Sequence, residues 1–376
     1  MKFTVNRNLF IDNLNNVMHA ISSRTAIPIL SGIKLNLSEN ELLLTGSDTE
    51  ISIEIRIPVS EDLRVDSPGS IVLPARFFSE IIKRLPGKEF SLEVKESFQT
   101  QIVSENSEFT INGLDSNTYP RLPEIPDNSA FIISGKTFRE IINETQFAVA
   151  TQESRLVLTG VHFTFSPNKI HAVATDSHRL SSRALILDQG APTETDLIIP
   201  GKSLLELARI IGETDPQIKV CPGENQVLFE IGNILFYSRL LEGSYPDTAR
   251  LIPTESTTQV EFDLAELSSA LDRASLLTHA GRNNVVDLTL DTEKQSAKLS
   301  GESAEIGNVE ENVSFRKLTG SNLKISFNPD YLRDALRASV SDAVIMEFTQ
   351  PLRPFTVNPN KTDIDFVQLI TPVRTF

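Results

Sequence analysis

The feature that most constrains this 376-residue chain is a plan written three times. A shift of 128 carries Phe10 onto Phe138, Leu14 onto Ile142, Gly32 onto Gly160 and Asp48 onto Asp176 without a gap. A shift of 126 then carries Leu73-Pro74 onto Ile199-Pro200 and Tyr119-Pro120 onto Tyr245-Pro246. The third copy is fainter: Leu267, Leu271 and Ala274 follow Phe138, Ile142 and Thr145, and Phe327-Asn328-Pro329 follow Leu73-Pro74-Ala75. Stacked solenoids use units of about 20–50 residues, whereas a unit of about 125 residues is a whole domain. The expected architecture is therefore three α+β domains, 1–126, 127–253 and 254–376, each with two helices on one face of antiparallel sheet.

Within the first copy, Phe10, Leu14, Val17 and Ile21 form one stripe of a helix over Arg7–Ile21, with Asn6 as its N-cap. Strands alternate through Ile33–Leu37, Glu41–Thr45 and Ile51–Ile57. A second helix, Ala75–Leu85, is stopped by Pro86-Gly87, and a meander closes the domain. A proline-rich link over 119–126 leads to the next copy.

A single cysteine, Cys221, excludes an intrachain disulfide and points to a reducing cytoplasm. No apolar run approaches the length of a membrane span, and the N-terminus lacks a signal-peptide core. A net charge of −15 argues, as a sum, against phosphate binding. Its distribution argues otherwise, because Arg24, Arg76, Lys83, Arg84, Lys136, Arg139, Lys202 and Arg209 fall on or beside the predicted helices. Helices sharing one side would give that side a positive potential on an otherwise acidic molecule.

Gly201-Lys202-Ser203 and Gly135-Lys136-Thr137 resemble the tail of a phosphate-binding loop, but the required earlier glycine is Asp196 or Ala130. The histidines lack metal-ligand spacing, so no cofactor is expected, and no acidic pair marks a catalytic centre. One asymmetry stands out. Where the first copy has Glu50-Ile51-Ser52, the second has His178-Arg179-Leu180, after the strand Ile170–Ala174. The last strand ends in Pro372-Val373-Arg374, a tail that proline removes from sheet pairing.

These segments resemble the bacterial DNA polymerase III beta subunit family, whose members are sliding clamps. The likeness is carried by Met1–Val5, Ile27–Leu30, Ala172–Leu180, Tyr245-Pro246-Asp247 and Pro372-Val373-Arg374. It implies a non-enzymatic, head-to-tail dimeric ring that encircles double-stranded DNA, lined by helices and walled by sheets. It implies as partners the replicative polymerase, a clamp loader, and repair and ligation factors. Their short motifs would enter a pocket of Leu158, Thr175, His178, Arg179, Leu180, Pro246, Arg250, Leu251, Leu369, Thr371, Pro372, Val373 and Arg374, with His178 and Arg179 as donors. Ser177 stands where some relatives have glycine, and Thr371 and Val373 where they have methionine. Arg24, Gln152, Arg155 and Lys202 would face DNA, and Phe109, Ile111, Leu276, Leu277, Glu310 and Glu311 the dimer interface. A clamp-fold paralogue without a main replisome role and an enzyme on a triplicated scaffold are the competing readings.

Overall fold

Each copy begins with a strand that runs directly into a helix, a start that fixes the rest of its order. In the computed structural model, residues 1–22, 25–187, 190–280, 284–303, 305–361 and 363–374 are described. The first copy runs β1 (Lys2–Asn6), α1 (Arg7–Met18), β2 (Gly32–Leu37), β3 (Glu41–Ser47), β4 (Ile51–Pro58), β5 (Leu63–Ser67), β6 (Gly69–Pro74), α2 (Ala75–Arg84), β7 (Glu89–Val94), β8 (Gln99–Ser104) and β9 (Ser107–Asn112). The second runs β10 (Phe131–Ser134), α3 (Gly135–Thr145), β11 (Gly160–Ser166), β12 (Lys169–Thr175), β13 (Arg179–Ile186), β14 (Thr195–Pro200), α4 (Gly201–Ile211), β15 (Gln217–Pro222), β16 (Gln226–Ile231) and β17 (Ile234–Arg239). The third runs β18 (Thr258–Asp263), α5 (Leu264–Ala280), β19 (Val286–Asp291), β20 (Ser296–Ser303), β21 (Gly307–Asn312), β22 (Lys317–Gly320), β23 (Leu323–Phe327), α6 (Pro329–Ala338), β24 (Ala343–Phe348), β25 (Phe355–Pro359) and β26 (Asp365–Ile370).

Local chemistry accounts for these elements. The Asn6 side chain accepts from the backbone N–H groups of Asn8 and Leu9, capping α1, while Phe10, Leu14 and Val17 are buried. The helix stops at Met18, short of the expected Ile21. There His19, Ala20 and Ile21 donate to Asn16, Val17 and Met18, tightening the chain into i→i−3 bonds. Asn328 caps α6 through the N–H of Asp330, and Pro329 opens the helix where no N–H is needed. The repeated Gly32 and Gly160 share one cause. A Cβ at Gly32 would lie 2.5 Å from Val72 and 3.0 Å from the Leu73 carbonyl oxygen, and one at Gly160 would lie 2.8 Å from the Ile199 carbonyl oxygen.

By packing, the chain divides into two units, Met1–Phe138 with Lys202–Leu240, and Arg139–Gly201 with Leu241–Phe376. Among the described residues of the first, antiparallel strands form the sheets β5-β1-β7-β8-β9 and β10-β15-β16-β17-β4-β3-β2-β6. Those of the second form β14-β11-β12-β13-β26-β25-β24-β18-β22 and β21-β20-β19-β23. Each longer sheet crosses a copy boundary. Tyr237 of β17 pairs with Ser52 of β4, and Leu369 of β26 pairs with Leu180 of β13.

In the first unit, Phe10 meets Phe78 and Phe90 edge-on at 5.8 and 5.1 Å, and its repeat equivalent Phe138 meets Phe229 at 5.5 Å. In the second, Leu267 takes that place within a cluster that includes Leu271, Ala274, Phe327, Leu332 and Leu336. Full burial of one such side chain contributes about 1.5–3 kcal/mol, so these clusters fix the helices on their sheets.

Candidate functional site: a turn, a tail and an apolar floor

The turn between β12 and β13 is built by Asp176. Its Oδ1 accepts from the backbone N–H groups of His178 and Arg179, both at 2.9 Å. The Thr175 hydroxyl donates to the Arg179 carbonyl at 2.6 Å and accepts from the Ser177 N–H at 3.1 Å. Ser177 has φ +78°, the left-handed region that the first central position of a tight hairpin demands and that glycine adopts without strain. The last residues are tied to this turn, since the Thr371 N–H and hydroxyl both donate to the His178 carbonyl. The Val373 N–H donates to the Ser326 carbonyl at 2.7 Å, so the tail leaves β26 and lies along β23.

Beneath turn and tail, Val173, Leu180 and Leu369 form a buried apolar cluster against Tyr245 and Ile252. The Thr175 N–H donates to the Tyr245 hydroxyl at 3.1 Å, and His162 stacks on the Tyr245 ring at 5.1 Å. Burial holds the Tyr245 hydroxyl well above the usual phenol range, keeping it neutral. Of the expected pocket residues, Thr175, Leu180, His178, Leu369, Thr371 and Val373 are thus gathered. Leu158 is buried, and Thr371, Pro372 and Val373 are half-buried. Pro246, Arg250, Leu251 and Arg374 are exposed, with Arg250 held by Asp247 at 2.8 Å.

Arg179 differs from the expected free donor. Its Nε–H donates to Asp176 at 3.0 Å and its Nη1–H to Asp334 of α6 at 2.6 Å. Its guanidinium lies 4.8 Å from the Tyr331 ring and 5.5 Å from the Phe147 ring. His178, exposed, stacks on the other residue of this array, Tyr331, at 6.4 Å and 14°. Arg179 is therefore taken up by the turn's own network, while His178 remains exposed beside Tyr331.

The first copy supplies an internal control. Asp48 makes the same turn, accepting from Glu50 and Ile51 at 3.0 and 2.9 Å, and Thr49 has φ +81°. Arg239 donates its N–H to Glu50 as Thr371 does to His178. Yet Val173, Leu180 and Leu369 are replaced there by Thr45, Ser52 and Tyr237. Leu122 and Ile125 of the link pack against the Tyr237 cluster. Leu251, the counterpart of Ile125, instead remains 52% exposed. In the first unit the link closes on this joint through Leu122 and Ile125, whereas in the second Tyr245 and Ile252 close on a wholly apolar joint and Leu251 stays exposed.

Sequence reasoning missed Val173, Ile252, Tyr331, Asp334 and Phe147. Tyr245 was likewise left out of the site, although it repeats Tyr119, and Val173 although it lies within the Ala172–Leu180 segment. Gln152, Arg155 and Lys202 are exposed, whereas Arg24 lies outside the described residues. Phe109 and Ile111 sit on β9, an edge strand, and Glu310 and Glu311 on β21, another edge, where they pair with Lys298 and Arg273, each at 2.8 Å. Leu276 on α5 is 69% exposed and Leu277 half-buried.

One other cluster gathers chemistry-bearing groups. Asp127, Cys221 and Glu230 bring donor atoms within 4.8 Å of one another, but the Lys219 ammonium already sits 2.8 and 3.3 Å from the two carboxylates. Burial pushes the Cys221 thiol up to about 12, so it stays protonated and unreactive.

Comparison with known proteins matches the three-copy plan of the chain. Residues 1–123, 132–247 and 249–374 match the N-terminal, central and C-terminal domains of the DNA polymerase III beta subunit. The chain is 48% identical to the beta sliding clamp of Staphylococcus epidermidis over 380 residues, covering all of both chains. The solved sliding clamp of Bacillus subtilis is 43% identical with a TM-score of 0.96, and the beta chain of Streptococcus pneumoniae 42% identical with 0.97, each covered completely. Three consecutive domain matches, spanning a chain whose own sequence repeats three times, make this protein a member of the DNA polymerase III beta subunit family.

Proposed function

We infer that this chain is a sliding clamp of DNA replication, with no catalytic chemistry of its own, that keeps a DNA polymerase at its template. The carrying observation is the unbroken three-domain family match along the whole length. Domains of 1–126, 127–253 and 254–376 fit the repeat. Two chains would join head to tail, a heterologous contact that closes into a six-domain ring around duplex DNA. Support comes from the edge strands β9 and β21 and from the exposed apolar Phe109 and Leu276, which such a contact would cover. Gln152, Arg155, Lys202 and Arg24 would face the DNA.

A tight electrostatic grip would oppose sliding, so retention rests on topology, and sparse basic residues on an acidic chain suit that demand. Tethering then raises the effective concentration of polymerase at the template. The turn, tail and apolar floor form the dock for short partner motifs, with the clamp loader and repair and ligation factors as further users in a cytoplasmic setting. Among the described residues no helix is long and apolar enough to cross a membrane.

The test is retention on nicked circular DNA, after loading by a clamp loader, compared with the same DNA linearised. The clamp stays on the circle and runs off the linear duplex; equal retention on both rejects topological holding.

A further inference from the structure

We propose that Asp334 is a positioning residue of the partner dock, setting the Asp176–Arg179 turn in its binding shape before any partner arrives. The inference rests on the proposed docking role of that turn. Asp334 lies on α6 and its Oδ2 accepts from Arg179 Nη1 at 2.6 Å, while Asp176 holds Nε of the same guanidinium at 3.0 Å. Phe147 and Tyr331 close on the guanidinium, whose side chain is only 12% exposed, and the Tyr331 ring carries His178. A planar cation bonded to two carboxylates and flanked by two rings has little freedom left. The turn is thereby pinned to a helix of the following copy.

The other junction shows that this link is a departure from the repeat. Glu206 on α4 is the counterpart of Asp334, and His19 of Phe147. There the carboxylate takes its partner from the end of α1, His19 Nδ1 at 2.7 Å, and the turn contributes Ile51, which is buried and apolar. Of these two junctions, the helix carboxylate reaches the turn only at the one with the apolar floor. A pre-set turn lowers the ordering cost of binding, so loss of the clamp should weaken partner binding without disturbing the rest of the fold.

Fluorescence anisotropy of a short labelled peptide from the replicative polymerase, titrated with the full-length protein, tests this. Asp334→Ala and Asp334→Asn are expected to weaken binding about tenfold, as loss of a charge-assisted bond does, and Asp334→Glu to restore most of it. Because Asp334 acts through Arg179, the double variant Arg179→Ala/Asp334→Ala should bind no more weakly than Arg179→Ala alone. Thermal midpoint and dimer mass serve as controls for a general structural effect. Wild-type affinity in Asp334→Ala overturns the proposal, as does a double variant in which the two losses multiply. Failure of the wild-type protein to bind the peptide instead rejects the docking role itself.

Discussion

Thr371 donates both its backbone N–H, at 2.9 Å, and its hydroxyl, at 2.8 Å, to the carbonyl oxygen of His178. At the equivalent place in the first unit, Arg239 donates only its backbone N–H to Glu50. The second bond is therefore an addition at the apolar junction of the second unit. Thr371→Val keeps the shape and removes the hydroxyl, which should cost about 1 kcal/mol of tail anchoring. We expect a severalfold loss of peptide affinity by anisotropy with an unchanged dimer mass; unchanged affinity would show that the tail is held without this bond.

Thr49 and Ser177 occupy the same strained position, with φ +81° and +78°. Replacement by glycine removes a left-handed penalty of about 1–2 kcal/mol, offset in part by about 0.5–1 kcal/mol of extra chain entropy. Both Thr49→Gly and Ser177→Gly should stabilise in urea unfolding, Thr49→Gly more, since a branched Cβ is worse tolerated there. Destabilisation by either would mean that its backbone is relaxed by contacts of the side chain.

What the sequence made legible was whatever repeats or alternates. The helix stripe of Phe10, Leu14 and Val17, the strand ends at Gly32 and Gly160, and the break between His178 and Glu50 could all be read directly. β1 and β5 could not, because short strands gain definition only from their neighbours; Phe3 and Val5 are simply buried once β5 and β7 flank them. The Arg179–Asp334 link escaped for a similar reason. It joins residues far apart in the chain, and an aspartate on an amphipathic helix reads as solvated surface until the fold places it.

Arg183 and Glu144 form a buried ion pair at 2.7 Å, and Arg183 also donates to the carbonyls of Ala184 and Asp365. Burial raises the Glu144 carboxyl above its usual range, with Arg183 opposing it. Glu144→Ala leaves a buried guanidinium without its counter-charge, and should cost about 3–5 kcal/mol in chemical unfolding. A loss below about 1 kcal/mol would mean that water reaches Arg183.

His171 sits half-buried beside Lys169, with Ser182 bonded to its Nε2 at 2.8 Å. Burial first, then the Lys169 charge, lowers its pKa below the ordinary imidazole range. Folding therefore favours the neutral ring, and this contribution is complete above the unfolded pKa and is lost as pH falls. Thermal midpoints followed from about pH 8 to 5 should decline less steeply for His171→Gln than for the parent protein. An identical slope would exclude His171 as a source of acid sensitivity.

Leu276 exposes 69% of its surface on α5, and Phe109 40% on the edge strand β9. Leu276→Asp would place a charge where the proposed head-to-tail contact needs apolar area. Sedimentation at micromolar concentration should then report one chain in place of two, with the unfolding midpoint of the chain itself little changed. A dimer that survives would move the interface elsewhere.

The side chains at the joint between β4 and β17 have a consequence for counting. Since Thr45, Ser52 and Tyr237 stand where the other junction has Val173, Leu180 and Leu369, only one of these two described junctions carries the apolar trio of the proposed dock. The proposed dock predicts a valency of one, so titration should saturate at one peptide per chain. Threefold repetition is written in the backbone, while the proposed stoichiometry rests on three side chains.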